Sequence, residues 1–511
     1  MAVAAPAPHA TERPLARFSA LPERVRWRWA LAGWVLLALA LRAPYLSVPL
    51  GRDEGGLAFI AQNWPSGHGS LYGSYWLDRP PLLVGLFKAA VVGGGLGVRL
   101  LGSLAAAALV IAVALLGRAV AGRRAGLIAG LLGALLGGSV AIGAVFTPAE
   151  LLAAVPSTLS VLCLVLAHRS REGRWLLVAG FLAVCAALVK QSFLDAGVAG
   201  VVFVAASAIR DREVRRGWPL AYAAGAAVPL GALVLWDVVA QLPQGGFLYA
   251  LVGFRIDALR TLSGSNVPLH TRLLSLAVPA LASGLVVAVA SAPAALRHLC
   301  GDRVLTVTLS AWLAAGVVGV LGGGSYWPHY LIELVPVSCV AAATVLASAR
   351  VRTRAAVLGA ATAVALLTAV GGAGYVATRP PQQAEVAVGR YVRSHARPGD
   401  TQYVMYARAN VDYYAGLPSP YPYAWSLMIR AVPGARAQLQ HLLASSKRPT
   451  WVVQWQDDDR WQLDRGDRTD RLLARGYRLA AVVCGHPILV RNDHPGPSPV
   501  TRSDCPGAIS R

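Results

Sequence analysis

The sequence predicts an all-α polytopic membrane bundle of about 11 transmembrane helices, followed by a C-terminal extracytoplasmic α/β domain. Three observations support this fold class. Of the 511 residues, 56% are hydrophobic and only 14% are charged. Apolar runs of roughly 18 to 24 residues recur along the chain, and runs of this length cross a bilayer as helices. Beyond residue 377 the composition changes to that of a soluble domain.

The membrane domain is predicted to occupy residues 29–377, after a cytoplasmic N-terminal tail at 1–28 and with outer loops at 48–97 and 241–271. The tail is rich in Pro, Ala and Arg and does not resemble a cleavable signal peptide, so the first span is expected to remain in the mature protein. The stretch Leu82–Gly97 is short, Gly-rich at its end and interrupted by Lys88, which favours an interfacial or re-entrant helix on the outer face. The spans are expected near residues 29–47, 98–117, 125–145, 149–167, 175–191, 193–209, 218–240, 272–293, 304–322, 329–348 and 355–376.

The net charge of +22 reflects arginine clusters that lie between the apolar runs, in the positive-inside pattern. With a cytoplasmic N-terminus, every cluster falls on the cytoplasmic side. The basicity is therefore attributed to topology and to contact with anionic membrane lipids, and no nucleic-acid partner is expected. An Ala-, Gly- and Arg-heavy composition further indicates a GC-rich bacterium, so the predicted location is the bacterial inner (plasma) membrane. The clusters are Arg118/Arg123/Arg124, Arg169/Arg171/Arg174, Arg210/Arg212/Arg215/Arg216, Arg297/Arg303 and Arg350/Arg352/Arg354.

The soluble domain at residues 378–511 lies on the extracytoplasmic side in this topology. Its mixed pattern predicts a helix at 382–395, a turn at 398–400, a helix near 436–445, and strands at 401–406, 451–455 and 479–490. Cys484 and Cys505 both lie in this domain. A disulfide is permitted in that compartment, and the sequence leaves their pairing open.

Ionisable residues gather at the predicted outer ends of the spans. Asp53 and Glu54 follow the first span, and Asp78 and Arg79 lie further along the same outer loop. Charges beside the mouth of a membrane bundle cost solvation free energy, so a functional site is the favoured interpretation. The same face also receives Glu150, Lys190, Arg255, Arg260, His329 and Tyr330.

One carboxylate among several cations suits the attack of a hydroxyl on an electrophile whose leaving group is a phosphate. The carboxylate accepts the proton of the hydroxyl, and the cations stabilise the charge that develops on the phosphate. Sugar transfer from a polyprenyl-phosphate sugar fits both requirements, because this donor places its phosphate at headgroup level and its tail in the bilayer.

Six motifs resemble those of the GT-C glycosyltransferases. The nearest group unites the protein O-mannosyltransferases, the lipid A aminoarabinose transferases and bacterial membrane proteins like the dolichyl-phosphate-mannose-protein mannosyltransferases. The resemblance runs in order over roughly residues 30–340 and implies a GT-C type bundle, and Pro398-Gly399-Asp400 before a strand is similar to the outer domain of the bacterial relatives. The motifs are Arg52-Asp53-Glu54-Gly55, Asp78-Arg79-Pro80-Pro81-Leu82, Val98-Arg99-Leu100, Gly122-Arg123-Arg124-Ala125-Gly126, Thr147-Pro148-Ala149-Glu150, and His329-Tyr330 followed by Pro336.

The resemblance implies a role for each candidate site residue. Asp53 is implied to be the catalytic base, with Glu54 as a supporting acid or acceptor-orienting group. Arg79 stands where the family more often has Lys in an Asp-Lys-Pro-Pro motif, and Arg keeps the charge and adds bidentate reach toward the donor phosphate. Family members are expected to invert the anomeric centre in a single displacement. Lys190 and Arg255 are assigned to the donor phosphate with Arg79, and substrate contacts are assigned to Asp78, Glu150, His329 and Tyr330.

Each of these assignments has a structural alternative that the sequence leaves open. The first acids could form a solvated helix start, and the arginines could reach lipid headgroups or be ordinary solvated charges. Glu150 could pair with Lys190, Asp195 could instead partner this lysine, and His329 could be an interfacial residue. No cofactor is required, although Asp53, Glu54 and Glu150 could share a divalent cation.

The sequence thus predicts an integral membrane glycosyltransferase that moves a sugar of mannose or arabinose type from a polyprenyl-phosphate donor to a hydroxyl of a lipid, glycan or protein acceptor. The alternative is a transporter or flippase of a lipid-linked saccharide, a class that usually shows internal repeats, and none is evident here. A third reading is a polymerase or ligase with a pyrophosphate-linked donor, for which a larger basic outer loop is expected. The sugar and the acceptor are not specified by the sequence.

Overall fold

A computed structural model of the protein describes residues 22–64, 71–210, 217–240, 242, 246–263, 268–456, 463–464, 466–497 and 500–505. Within these ranges the chain forms a bundle of apolar helices followed by a small domain with one sheet. The first four α-helices of the described ranges are α1 (Glu23–Arg42), α2 (Arg52–Asn63), α3 (Pro81–Ala90) and α4 (Gly94–Gly137).

Helix α4 is broken at Ala121–Gly122, where Gly122 has a φ of 86°, in the left-handed region that favours glycine. The break lies inside the arginine cluster at 118–124, so α4 corresponds to two predicted spans. Helix α3 has 10 residues, about half of what a bilayer requires, and a 3₁₀ turn at Val91–Gly93 joins it to α4. This agrees with the prediction that Leu82–Gly97 does not form a full span of its own.

Within the described ranges, the bundle continues with a one-turn helix at Gly246–Leu248, a π-helical turn at Tyr249–Gly253, a 3₁₀ segment at Pro328–Leu334 and eleven longer helices. They are α5 (Ala149–Ser170), α6 (Arg174–Val189), α7 (Asp195–Arg210), α8 (Trp218–Ala240), α9 (Phe254–Ser263), α10 (Leu269–Ala282), α11 (Leu285–Ala290), α12 (Ala292–His298), α13 (Arg303–Gly322), α14 (Val335–Ser348) and α15 (Val351–Thr378).

Each predicted span overlaps a helix or a bent helix pair. Six helical segments of the described chain are long and apolar enough to cross a membrane, and there are seven if α10 with α11 and α12, bent by 85°, counts as one. The span predicted near 272–293 is therefore two pieces, because Gly284 with a φ of 75° separates α10 from α11. The chain is a multi-pass membrane protein, whereas the number of eleven crossings stays a prediction.

The C-terminal domain contains a five-stranded sheet with the order β1-β2-β4-β3-β5. Strand β1 pairs parallel with β2, β4 pairs antiparallel with β2 and β3, and β5 pairs parallel with β3. The elements are α16 (Gln383–His395), β1 (Gln402–Val404), α17 (Ala409–Ala415), α18 (Ser426–Ala431), α19 (Ala435–Ala444), β2 (Trp451–Val453), α20 (Arg468–Gly476), β3 (Tyr477–Val483), β4 (His486–Arg491) and β5 (Thr501–Ser503).

The structure confirms the predicted helices at 382–395 and 436–445 to within a residue. Strands β1 and β2 lie inside the predicted ranges 401–406 and 451–455 but are shorter, with three residues each. The single strand predicted at 479–490 is wrong. This stretch is a hairpin, because Cys484 and Gly485 have φ values of 53° and 79° and reverse the chain between β3 and β4. Cys484 forms a disulfide with Cys505, which ties the turn to β5. The pairing that the sequence left open is thus present.

Candidate active site

Asp53 lies in the first turn of α2, with an exposed side chain. The helix starts here with Gly51 as its N-cap residue, and Glu54 Oε2 accepts a hydrogen bond from the Gly51 amide at 3.0 Å, which satisfies one free amide at the helix start. Asp53 Oδ1 accepts a hydrogen bond from Trp425 Nε1 at 3.1 Å. Across the part of the chain that the structure describes, no ion pair includes Asp53.

Glu54 is buried and fully engaged. Its carboxylate pairs with Arg99, and Oε1 also accepts the Thr147 amide at 2.7 Å. Arg99 donates in addition to the carbonyls of Val48 and Pro49, at 3.2 and 2.9 Å. The pair therefore connects α4 and the segment just before α5 to the loop that precedes Asp53.

Asp78, Arg79 and Arg255 form a compact cluster in which one carboxylate serves two arginines. Asp78 Oδ2 lies 2.5 Å from Arg79 Nη1 and 2.7 Å from Arg255 Nη2. Burial opposes ionisation of Asp78, but the two guanidinium charges outweigh burial and hold the pKa of this carboxyl below its usual range. The cluster carries one net positive charge. Predicted residues from two separate outer loops are thus brought together.

The electrostatic link between this cluster and Asp53 appears in Arg79. Burial lowers the pKa of the Arg79 guanidinium, but neighbouring negative charges, with Asp78 first and Asp53 among them, hold it above its usual value. Asp53 thus adds to the negative charge that acts on the Arg79 guanidinium.

Glu150 and Lys190 form a buried ion pair, as the structural alternative from the sequence allowed. His329 Nε2 lies 3.6 Å from Glu150 Oε1, and Lys190 Nζ lies 4.3 Å from the centre of the Tyr330 ring. These four predicted residues thus lie together. The idea that Asp195 partners this lysine is wrong, because Asp195 accepts hydrogen bonds from Trp312 Nε1 at 2.7 Å and from Ser157 at 3.1 Å.

The sequence did not indicate that residues of the C-terminal domain contact this site. Asn410 Nδ2 donates to the Leu50 carbonyl at 3.2 Å, and Trp425 reaches Asp53. The prediction from the sequence also missed Glu333, a buried acid near Ser192. A glutamate between apolar residues of a predicted span was a usable signal for Glu333, whereas Trp425 carries no local signal.

The acids of the site do not converge into a metal centre. No group of three or more His, Cys, Asp or Glu side chains within the described ranges is placed to hold a metal ion. Glu54 is bound to Arg99 and Glu150 to Lys190, so these residues do not fit a cation shared with Asp53.

Residues 79–236 match the model of the family described as dolichyl-phosphate-mannose-protein mannosyltransferase. The resemblance predicted from the sequence is confirmed. The match covers less than half of the chain, and no curated protein matches the chain.

Solved structures with the same fold extend the comparison to the rest of the chain. ArnT from Cupriavidus metallidurans bound to undecaprenyl phosphate is 15% identical, with a TM-score of 0.61 over 91% of this chain and 97% of that one. Its apo form is 14% identical, with a TM-score of 0.64 over 90% and 98%. The oligosaccharyltransferase AglB from Archaeoglobus fulgidus, in complex with an inhibitory peptide and a dolichol-phosphate, is 14% identical, with a TM-score of 0.55 over 84% and 69%. The chain therefore has the predicted GT-C type fold.

Proposed function

We propose that this chain is an integral membrane glycosyltransferase that moves a sugar from a polyprenyl-phosphate donor to an acceptor hydroxyl on the extracytoplasmic face of the bacterial inner membrane. The matched family model and the fold shared with ArnT and AglB support this class. ArnT was solved with undecaprenyl phosphate and AglB with a dolichol-phosphate, which supports a lipid-phosphate donor. The disulfide between Cys484 and Cys505 supports a C-terminal domain outside the cytoplasm.

The proposal depends on one observation: four acids at one end of the helix bundle differ in their burial and in their ion pairs. Glu54, Asp78 and Glu150 are buried and each holds at least one cation. Asp53 is exposed and has no cationic partner among the described residues. A carboxylate fixed in a buried ion pair is a poor proton acceptor, because protonation would leave the cation unpaired. Asp53 is therefore the acid best suited to act as a general base.

The donor phosphate is assigned to Arg79 and Arg255. Both guanidinium groups already lie against Asp78, which neutralises one of the two positive charges. A phosphate would balance the remaining charge, and two planar forks suit its oxygens. Gln191, the neighbour of Lys190, donates to the Asp78 carbonyl at 2.7 Å. Because Glu150 neutralises the charge of Lys190, we assign Lys190 a weaker electrostatic part in phosphate binding.

The reaction then takes place in one displacement. Asp53 accepts the proton of the acceptor hydroxyl while the hydroxyl oxygen forms a bond to the anomeric carbon of the sugar. The bond from this carbon to the phosphate oxygen breaks, and its electron pair leaves on the phosphate between Arg79 and Arg255. The configuration at the anomeric carbon is inverted, and no covalent enzyme intermediate is needed.

The substrates to test follow from the same comparisons. Mannose is the first sugar to test, before an arabinose-type sugar, because the matched family is described as a mannosyltransferase family. His329 and Tyr330 lie beside the ion pair of Glu150 and Lys190, and we assign this group to contacts with the sugar. The acceptor is a hydroxyl of a lipid, glycan or protein.

The test compares Asp53→Asn with Asp493→Asn, which removes an exposed acid of the C-terminal domain outside the site. Full-length protein in membranes of the producing cells receives undecaprenyl-phosphate mannose or undecaprenyl-phosphate arabinose, and release of undecaprenyl phosphate is measured. Loss of a general base is expected to reduce the rate by roughly 10²–10⁴-fold. Asp493→Asn should retain the wild-type rate. Transfer by Asp53→Asn at near the wild-type rate would contradict the base assignment, and movement of an unaltered donor across vesicles would favour a flippase.

A further inference from the structure

The C-terminal domain supplies the hydrogen-bond donor that lies on Asp53. Trp425 precedes α18, and its indole Nε1 is 3.1 Å from Asp53 Oδ1, although 372 positions separate the two residues in sequence. An indole N–H can donate a hydrogen bond and cannot accept one. The contact therefore holds one oxygen of the Asp53 carboxylate in place.

Two glycines of α2 make this close approach feasible. A Cβ added at Gly56 would lie 2.4 Å from Trp425 Cζ2, and a Cβ added at Gly55 would lie 2.4 Å from the Cβ of Asn410. Any larger side chain at these positions would push the C-terminal domain away from the helix that carries Asp53. The run Asp53-Glu54-Gly55-Gly56 thus places Asp53 beside two glycines that leave room for the C-terminal domain, which carries Trp425.

The segment that ends at Trp425 also contacts the outer loop that carries Asp78 and Arg79. The Trp76 amide donates to the Pro422 carbonyl at 3.2 Å, and the Trp76 ring lies 5.6 Å from the Tyr423 ring. The Trp76 ring also lies 5.1 Å from the ring of Phe254, the neighbour of Arg255. One aromatic cluster therefore joins the first outer loop, the start of α9 and the segment that ends at Trp425.

We propose that Trp425 is a positioning residue for the base: it fixes Asp53 through Oδ1 and leaves Oδ2 to receive the proton of the acceptor hydroxyl. This inference rests on the proposed function. It makes the C-terminal domain a part of the active site, and the acceptor hydroxyl reaches Asp53 beside the indole of Trp425.

The chain contains a matched control for the test. Trp451 Nε1 donates to Asp400 Oδ2 at 2.9 Å, in the same domain and with the same pair of chemical groups. Trp425→Phe and Trp451→Phe each remove one indole N–H and keep an aromatic ring. A purely structural contribution would affect both variants, and Trp451 is the more buried of the two tryptophans.

Two measurements are made on full-length protein in membranes. The first is the kcat and KM for undecaprenyl-phosphate mannose. The second does not depend on activity: a water-soluble carbodiimide with glycine ethyl ester labels carboxyl groups whose oxygens it can reach, and the indole N–H covers Oδ1 of Asp53. Mass spectrometry of the peptide that contains Asp53 gives its labelling rate. Loss of a hydrogen bond to a charged group is expected to lower kcat about tenfold in Trp425→Phe, to leave KM within about twofold, and to raise labelling of Asp53 about tenfold. Trp451→Phe should change neither kcat nor the labelling of Asp53.

The outcomes separate the two proposals. Unchanged labelling of Asp53 in Trp425→Phe overturns the positioning role, and so does an equal change in Trp451→Phe. If the labelling rises as expected but the wild-type protein consumes neither undecaprenyl-phosphate mannose nor the arabinose donor, the proposed function is wrong while the contact that orients Asp53 stands.

Discussion

Glu54→Gln is expected to destabilise the folded protein by about 3–5 kcal/mol, because it breaks a buried ion pair and leaves an arginine without its counter-charge. Arg99 is 1% exposed and Glu54 is 6% exposed, so water screens neither group. The substitution keeps the size of the side chain. It therefore tests the charge and the hydrogen-bond pattern and leaves the packing unchanged.

The hydrogen bonds of Glu54 show why an amide cannot replace the carboxylate. Oε1 accepts from Arg99 and the Thr147 amide, and Oε2 accepts from the Gly51 amide. Glutamine has one acceptor oxygen and one donor NH₂ group, so at least one of these three donors faces another donor. An unsatisfied buried donor costs about 1–3 kcal/mol by itself, and the uncompensated charge of Arg99 accounts for the rest.

The assay is thermal unfolding of the full chain in detergent, followed for wild type, Glu54→Gln and the control Glu172→Gln. Glu172 pairs with Arg174, but these side chains are 43% and 72% exposed, so the control is expected to change stability by no more than about 1 kcal/mol. An unfolding temperature of Glu54→Gln equal to that of the control would refute the reasoning. If Glu54 only positions Asp53, the donor KM of the folded fraction should stay unchanged.

Three further predictions follow from the same structure. Arg79→Ala and Arg255→Ala should each raise the KM for undecaprenyl-phosphate mannose by roughly 10- to 100-fold, because each removes a charged contact to phosphate, and an unchanged KM in a donor titration would remove that residue from the phosphate site. Replacing Cys484 and Cys505 together by Ser should destabilise the C-terminal domain by about 3 kcal/mol, and wild type in reductant should melt at the same temperature as this variant. Burial raises the pKa of Asp412 well above its usual range, so this acid opposes folding increasingly as the pH rises above the unfolded-state pKa of about 4. Asp412→Asn should therefore raise the unfolding temperature at pH 7 and have little effect near pH 3.5, and an equal gain at both pH values would contradict this account.

Much of the fold could be predicted because the bilayer imposes a local rule on the sequence. A membrane helix needs a continuous apolar run, so each predicted span overlaps a helix or a bent helix pair. Departures occur where one residue decides the backbone, as at Gly284 within a span and at Cys484-Gly485 within a predicted strand. A break of this kind depends on one or two residues and leaves no periodic pattern in the sequence, so a reading based on periodicity over a window of residues does not detect it.

The sequence predicted which residues are candidates for the site, but it did not predict which of them form ion pairs with each other. The sequence indicated Asp53, Asp78, Arg79 and Glu150 because charges are costly beside apolar spans. It did not show that Asp78 serves two arginines, since Arg255 comes from a loop 177 positions away. Ion pairs of this kind depend on how the outer loops meet.

The sequence by itself determined the class of the protein, the course of its helices, the acid-bearing turn after the first span and the family resemblance, because each of these depends on composition or on short motifs. The tertiary structure decided which acids are held in ion pairs, since Arg99, Lys190 and the Arg79/Arg255 pair each meet a carboxylate through packing. It also decided that the C-terminal domain reaches Asp53 through Trp425. The physical reason is that the electrostatic state of a carboxylate depends on neighbours within a few ångströms, and the chain brings those neighbours from distant segments.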